Sequence, residues 1–480
     1  MGAQVRPLRL VPSGLAVLLL LSLKCSVVSD FDGLVGSGAG ITPLDAATDV
    51  PAETSAPDSA TDAPVETSAP DAAADAYPDA PCSDGMKWCA FNCVPVDDPQ
   101  YGCGDVGCEP CGIENGIAKC SAGRCALAAC KSDYEDCDTQ LDTGCEVHVM
   151  SDGDHCGTCD HQCGGGGCDN AVCQPMQLAD FQQEAWAIAV DATHVYWTNA
   201  GGPGWNVQRV SKGGGAAEGL AGPNDNQAGP VPDKAAQGQI VLDATYVYWA
   251  NEDTGLIRRM LKNGSGQETL AQGYEPFGAA VDDTHVYWSN RKDTNRSVVR
   301  VPKSGGAVET VAAHGAAGDP GILAIDTQFV YWTGYDNGSV WRASKVTPFA
   351  PEMLWNPNAS ATIAGWGVVV DGVNVYWRSE PDIWWIPKTG AIATKLDEAQ
   401  PQARFLAISD NTLFWGRKRS GVVFHELVEL STTNLAATPT LLATGLGSVH
   451  GITADDDYVY WTEWTGSAAP SGGIFKLRRP

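Results

Sequence analysis

The chain has 480 residues and carries 58 acidic against 30 basic side chains, a net charge of −28. Such a surface repels nucleic-acid phosphates and anionic lipid headgroups, so neither is expected as a partner. Sixteen of its 17 cysteines lie between residues 82 and 173 and none lies beyond, so composition alone already divides the chain.

Residues 1–29 read as a secretory signal. Arg6 and Arg9 precede the apolar run from Leu15 to Leu23, which is too short to span a bilayer, and Val27 and Ser29 are small residues suited to cleavage before Asp30. A competing reading makes Cys25 the lipid acceptor of a bacterial lipoprotein, the one route to membrane attachment; Lys24 before it is a poor match to the small residue such sites take. Residues 30–81 consist mainly of Ala, Pro, Asp, Thr and Ser without Lys or Arg, and the stretch 47–59 is nearly copied at 60–72. Low hydrophobicity with charge of one sign cannot offset the entropy of ordering, so a disordered linker is expected. Extended as a polyproline helix it would reach roughly 160 Å.

Residues 82–173 form a cysteine-rich module. An even cysteine count in an exported chain reads as a disulfide scaffold. The rival reading is zinc, because Cys156, Cys159 and Cys163 stand beside His155 and His161, and Cys108 and Cys111 have ligand-like spacing. The oxidising compartment and the further Cys168 and Cys173 weigh toward disulfides. Oxygen ligands cluster at Asp133–Asp138 and Asp152–Asp154, where calcium or another divalent ion is conceivable, yet neither follows a twelve-residue calcium loop. Solvated acidic turns are expected there, and no cofactor.

Residues 174–480 are repetitive. An aliphatic residue, an aromatic and a Trp recur at Trp197, Trp249, Trp288, Trp332, Trp377, Trp415 and Trp461; 264 residues separate the first from the seventh, a mean of 44 per repeat. Four-stranded propeller blades have this period, about 40 to 45 residues. Six residues before each Trp stands an Asp (Asp191, Asp243, Asp282, Asp326, Asp371, Asp455), with Ser409 the exception. Each unit reads as strand a ending at the Asp, strand b carrying the Trp, strand c with a Lys and often a Gly turn after it, and a weaker strand d; no segment carries a helical period. Strand b has bulky apolar groups on consecutive positions, so both faces want burial, as in a sheet packed between two others. The seventh unit stops at its strand c near Ile474, while an orphan segment, Met176–Ala179, precedes the first strand a. The expectation is an all-β, seven-bladed β-propeller closed by an N-terminal strand, because an open array would leave pairing edges exposed.

The Asp-x-x-x-Val-Tyr-Trp-Thr pattern resembles the YWTD-type propeller repeats of the low-density lipoprotein receptor family over roughly residues 176–480. Those receptors usually show six repeats ending in Asp; here there are seven, and the closing position is Asn199, Asn251, Asn290, Gly334, Ser379, Arg417 or Glu463. The resemblance therefore implies the fold type and not the receptor function. In the cysteine-rich module, Gly144–Glu146 and His155–Cys159 resemble modules of myxobacterial-type surface proteins, which implies a bacterial cell-surface setting.

Propeller ligands gather where the d-to-a and b-to-c loops surround the channel. The position that opens strand a differs between repeats: Trp186, Gly238, Phe277, Gly321, Trp366, Arg404 and His450. Trp186, Phe277, Trp366, Arg404 and His450 are the candidate ligand-binding residues, able to stack on a sugar or grip a carboxylate; the plainer reading is that the aromatics plug the narrow end. His450 with Glu463 is the candidate catalytic pair of a metal-assisted lyase or hydrolase. No nucleophile elbow or paired catalytic carboxylates stand out. His194 and His285 share one repeat position and read as half-buried structural residues; His314 and His425 stand alone. A second surface is offered by Trp205, Trp384, Trp464, Arg291, Arg417, Lys418 and Arg419 on or beside b-to-c loops, some of them expected to be inter-blade packing. Sequons at Asn263, Asn295, Asn337 and Asn358 matter only in a eukaryotic secretory path. The expected protein is an exported, surface-displayed monomer that binds a protein or carbohydrate ligand; a structural envelope role is the third reading.

Overall fold

The computed structural model describes residues 82–480, except Val106, Asp142, Gln183, 201–206, 222–237, His314, 316–318, 358–363, 398–403, 419–423, 465–471 and the Asp293 side chain. The signal, Cys25 and linker expectations lie outside these residues, as do those for Trp205, His314, Arg419 and Asn358.

Seven four-stranded antiparallel sheets follow one another along the chain. Blade 1 consists of strand a (Ala185–Val190), b (His194–Asn199), c (Val207–Ser211) and d (Glu218–Ala221). Blades 2 to 6 repeat that order, starting at Ile240, Pro276, Pro320, Gly365 and Leu406. Blade 7 has strands a (Ser448–Ala454), b (Tyr458–Trp464) and c (Gly472–Arg478), and its fourth strand is Met176–Gln182, antiparallel to c with Ile474 opposite Ala179. The orphan segment thus closes the ring, as expected, and extends three residues further than Ala179. Blade 6 holds a strand c, His425–Ser431, that had no clear sequence signature.

The seven tryptophans of strand b are fully buried, with the preceding Tyr or Phe on the opposite face equally so. Each indole N–H wants an acceptor in that dry layer. Trp288 donates to Asn290 Oδ1 (3.0 Å), Trp461 to Glu463 Oε1 (2.7 Å), Trp415 to Asp397 Oδ2 (3.1 Å), and Trp197 to Gln182 Oε1 (3.0 Å) of the closing strand. The variable end of the repeat motif is therefore, in two blades, the acceptor for its own Trp.

The repeat Asp ties blades together. Oδ1 of Asp191 accepts the backbone N–H groups of Thr193 and His194, which shapes the a-to-b turn; Oδ2 accepts the Tyr196 hydroxyl (3.1 Å) and meets Lys262 of blade 2 (3.0 Å). The same bridge runs from Asp243 to Lys303 (2.7 Å), Asp282 to Lys345 (2.7 Å), Asp326 to Lys388 (2.6 Å) and, across the closure, Asp455 to Lys212 (2.6 Å). Blade 6 has Ser409 instead, and there Arg479 donates to the Ser409 hydroxyl.

At the opposite end, a hydroxyl just after the Trp latches one blade to the next. Ser289 donates to the Gly321 carbonyl (2.8 Å), Thr333 to that of Trp366 (2.6 Å) and Thr462 to that of Trp186 (3.3 Å). The same oxygens of Ser289 and Thr462 accept from Gly278 N and Gly451 N. Glycine is needed at 278 because a Cβ there would lie 2.3 Å from the Gly321 carbonyl oxygen. Thr333→Val, which keeps the shape and removes the donor to Trp366, is expected to cost about 1 to 2 kcal/mol in urea unfolding; an unchanged midpoint would show the latch to be idle.

The cysteine-rich module is a set of two-stranded hairpins, including Met86–Cys89 with Asn92–Pro95 and Gly116–Ser121 with Arg124–Cys130. Its sixteen cysteines form eight disulfides, 82–93, 89–108, 103–120, 111–125, 130–145, 137–159, 156–168 and 163–173, so no thiolate is left for zinc. The closed loops are 10 to 22 residues apart in sequence, each restricting the unfolded chain by about 3 kcal/mol in the chain-entropy account. The module abuts blade 7 beside the closure, where Gly164 lies against Tyr458 so tightly that a side chain would collide with its ring.

Candidate functional site at the mouth of the ring

All seven a strands line a central channel of about 390 Å³, faced by small aliphatic residues such as Ala187, Val190, Ile240, Val368, Leu406 and Ile452. Its polar side chains include Gln239, whose Oε1 accepts from Ala279 N (3.0 Å) and links blades 2 and 3. The lining begins one or two residues beyond the positions that open the a strands, so Trp186, Phe277, Trp366, Arg404 and His450 form a layer over one end of the channel rather than its wall.

That layer is continuous. Arg291 of blade 3 lies over the rings of Phe277 (4.5 Å) and Tyr335 (3.9 Å). Tyr335 meets Trp366 edge to face at 5.0 Å. Arg404 lies over Trp366 (4.7 Å) on one side and Trp186 (4.5 Å) on the other, and so joins blades 5, 6 and 1 across the mouth. Trp186 meets His450 at 5.4 Å and Phe405 at 6.4 Å, and His450 meets Trp464 at 5.8 Å. The structure therefore brings the five candidate residues into one chain of contacts. Phe277, Trp186 and His450 are buried in it; Trp366 and Arg404 are only half-buried.

The latches described above place this layer, since Thr333 and Thr462 hold the backbone carbonyls of Trp366 and Trp186. Where the latch residue is absent the symmetry changes character. Blade 5 has Arg378 at that position, fully buried, with Nη2 3.3 Å from Glu380 Oε1. The same carboxylate oxygen accepts from Trp366 Nε1 at 3.1 Å. Burial lowers the Arg378 guanidinium to about 10, with Glu380 opposing and Arg404 adding to the fall. Burial also lowers Arg404. His450 and His425 are both pushed down to about 4, first by burial and then by neighbouring basic groups, Arg404 ahead of His425 for His450, Lys418 and Arg378 for His425. Both imidazoles are therefore neutral at pH 7.

Sequence reasoning missed Arg378 and took His425 as isolated. The signal was present at residue 378, where the repeat writes Arg in place of Thr, Ser, Ala or Gly. His425 carried no such mark, because it starts the strand c that had no signature.

Other candidates have structural duties. Both oxygens of Glu463 accept hydrogen bonds, from Trp461 Nε1 and from Gly447 N (2.9 Å). Trp384 sits inside strand c of blade 5 and packs on Trp355 of blade 4 at 5.2 Å. Arg417 is buried between Asp397 (3.0 Å) and Glu426 (2.8 Å). His194 and His285 are half-buried and bond Thr193 and Thr284 at 2.8 Å. In the module, the carboxylates of Asp138 and Asp152 cap turns through Gln140 N and Asp154 N (2.8 Å each).

No family model matches the chain, and no curated protein matches it. Among solved structures it is similar to a chain of the nidogen/laminin complex, at 19% identity over 46% of this chain and 85% of that one, with a TM-score of 0.37. It is also similar to a protein of unknown function from Bacteroides thetaiotaomicron, at 14% identity over 61% and 87% of the two chains, TM-score 0.38. A puromycin-hydrolyzing peptidase of Mycobacterium tuberculosis matches at 14% identity over 60% of this chain and 50% of that chain, TM-score 0.44.

Proposed function

We propose that this chain is an exported binding protein displayed at a bacterial cell surface, with a YWTD-type ring that captures its ligand at the mouth built by Trp366 and Arg404. The eight disulfides support an extracytoplasmic setting, because such bonds persist only in oxidising compartments. The signal at residues 1–29 supplies export and residues 30–81 hold the ring away from the surface, with a lipid on Cys25 as one means of attachment. The observation that carries the reading is the half-buried Arg404, whose guanidinium lies over two indole rings at 4.5 and 4.7 Å at the mouth of the ring.

Glycan and peptide arrays probed with the full chain test this. Trp366→Ala and Arg404→Ala are expected to weaken capture at least tenfold while the thermal midpoint stays within a few degrees. Capture that is unaltered by both substitutions for every ligand found would remove the mouth from the function.

A further inference from the structure

The chemistry of the mouth narrows the ligand, on the premise that the mouth is the binding site. Neutral sugars are usually held by stacking on an open indole face. Here Trp186 and Trp366 each turn a face to Arg404, Trp366 meets Tyr335 besides, and Trp186 is only 8% exposed. What stays open is the guanidinium. Among the described residues it makes no hydrogen bond or ion pair, and its planar fork is held between the rings instead of sweeping through solvent. The carboxylate whose charge acts on it, Glu380, is engaged by Trp366 and Arg378.

Unbonded buried nitrogens lie in the same cluster. Trp186 Nε1 and His450 Nδ1 have no partner, and each residue is 8% exposed; His425 Nδ1 is unpartnered as well at 4% exposure. Buried polar atoms left unpaired are costly, and a group of them beside a held cation marks a place where a ligand supplies the acceptors. The charge is positive on balance, with Arg378 and Arg404 against Glu380, inside a chain of net −28. A polyanion would be repelled by the rest of the surface, whereas a single acidic group would reach the mouth with little opposition.

We infer that the mouth of the ring recognises a small ligand through one carboxylate, which Arg404 grips with both arms of its fork above the buried Trp186 and His450. An Arg–carboxylate pair of this kind is geometrically selective, so lysine does not replace it.

Calorimetric titration of the full chain with D-glucuronate, D-glucose, acetate and inorganic phosphate tests the assignment. Glucuronate and glucose share a ring and differ in the carboxylate. Glucuronate and acetate are expected to bind and glucose not to; Arg404→Lys is expected to weaken glucuronate at least tenfold and Arg404→Ala to abolish binding. Glucose binding as well as glucuronate, carboxylate binding that survives Arg404→Ala, or no binding by either carboxylate would overturn the inference. A preference for phosphate would overturn it in favour of another oxoanion. Array capture that depends on Arg404 but is confined to neutral ligands would refute the carboxylate and leave the binding role standing; carboxylate binding at Arg404 with no array ligand at all would do the reverse.

Discussion

Leu178→Asp in the closing strand is expected to destabilise the whole ring by about 3 to 5 kcal/mol, the cost of leaving a charge buried without a partner. Leu178 is buried among Ile188, Val195 and Trp197 of blade 1 and Tyr460 and Ile474 of blade 7, so it sits at the junction where the first and last repeats meet. The strand also contributes Gln182, whose Oε1 accepts from Trp197 Nε1 and from Gln208 Nε2 (3.1 Å). No blade can bury both of its faces alone, so loss of this junction exposes two sheets at once. For a ring of this size the midpoint should fall by roughly 10 °C. Phe181→Asp is the control: its side chain is 70% exposed on the same strand and the substitution should leave the midpoint near wild type. Equal midpoints for Leu178→Asp and wild type would mean that the ring does not need this strand.

Acid should open the seams between blades. Burial opposes the charge on Asp243, but Lys303, the Tyr246 N–H and the Tyr248 hydroxyl outweigh it and hold the carboxyl down to about 2. Asp191, Asp282, Asp326 and Asp455 are lowered in the same way against the opposing effect of burial. A carboxylate whose folded value lies below its unfolded value of 3.8 stabilises the fold above that value and loses the contribution as the pH falls toward the folded one. With about 1 kcal/mol for each partly screened pair, the five together amount to about 5 kcal/mol. His425 and His450 add an earlier loss, because folded values of about 4 against 6.5 unfolded mean that the unfolded chain takes up protons first as the pH drops below 6.5. Neutralising the net charge of −28 works in the opposite direction by relieving repulsion. The difference between wild type and Asp243→Asn isolates the bridge: the variant should be less stable by about 1 kcal/mol at pH 7, and the gap should shrink as the pH falls from about 4 toward about 2. Urea unfolding at pH 7 and pH 2 reads this directly, and a gap of the same size at both would rule out the ion pair as its source.

The legible part of this protein is the part that repeats. A Trp in all seven units, with an Asp and a Tyr at constant spacing in six of them, announces seven sheets because each carries a recurrent contact: the buried indole, the turn cap and the hydroxyl on the Asp. The orphan strand before Trp186 was readable for the same reason, since six complete units and one lacking strand d leave a single place for it. The positions that vary were harder. Glu463 and Asn290 occupy the same repeat position and both proved to be acceptors for a Trp N–H, which no spacing announces because Gln182 and Asp397 do the same work from other strands.

Local pattern by itself determined the blade count, the way the ring closes and the use of the cysteines, because sheet pairing and burial follow from periodicity along one chain. Only the tertiary structure decided what surrounds the mouth. Arg378, Arg404, His425 and His450 come from three different blades, and their charge state depends on how closely those blades approach; the guanidinium of Arg404 acquires its setting from Trp366 and Trp186, which lie 38 residues before it and 218 before it in the chain. Proximity across a ring axis leaves no trace in spacing, and burial of a charge is a property of the assembled layer.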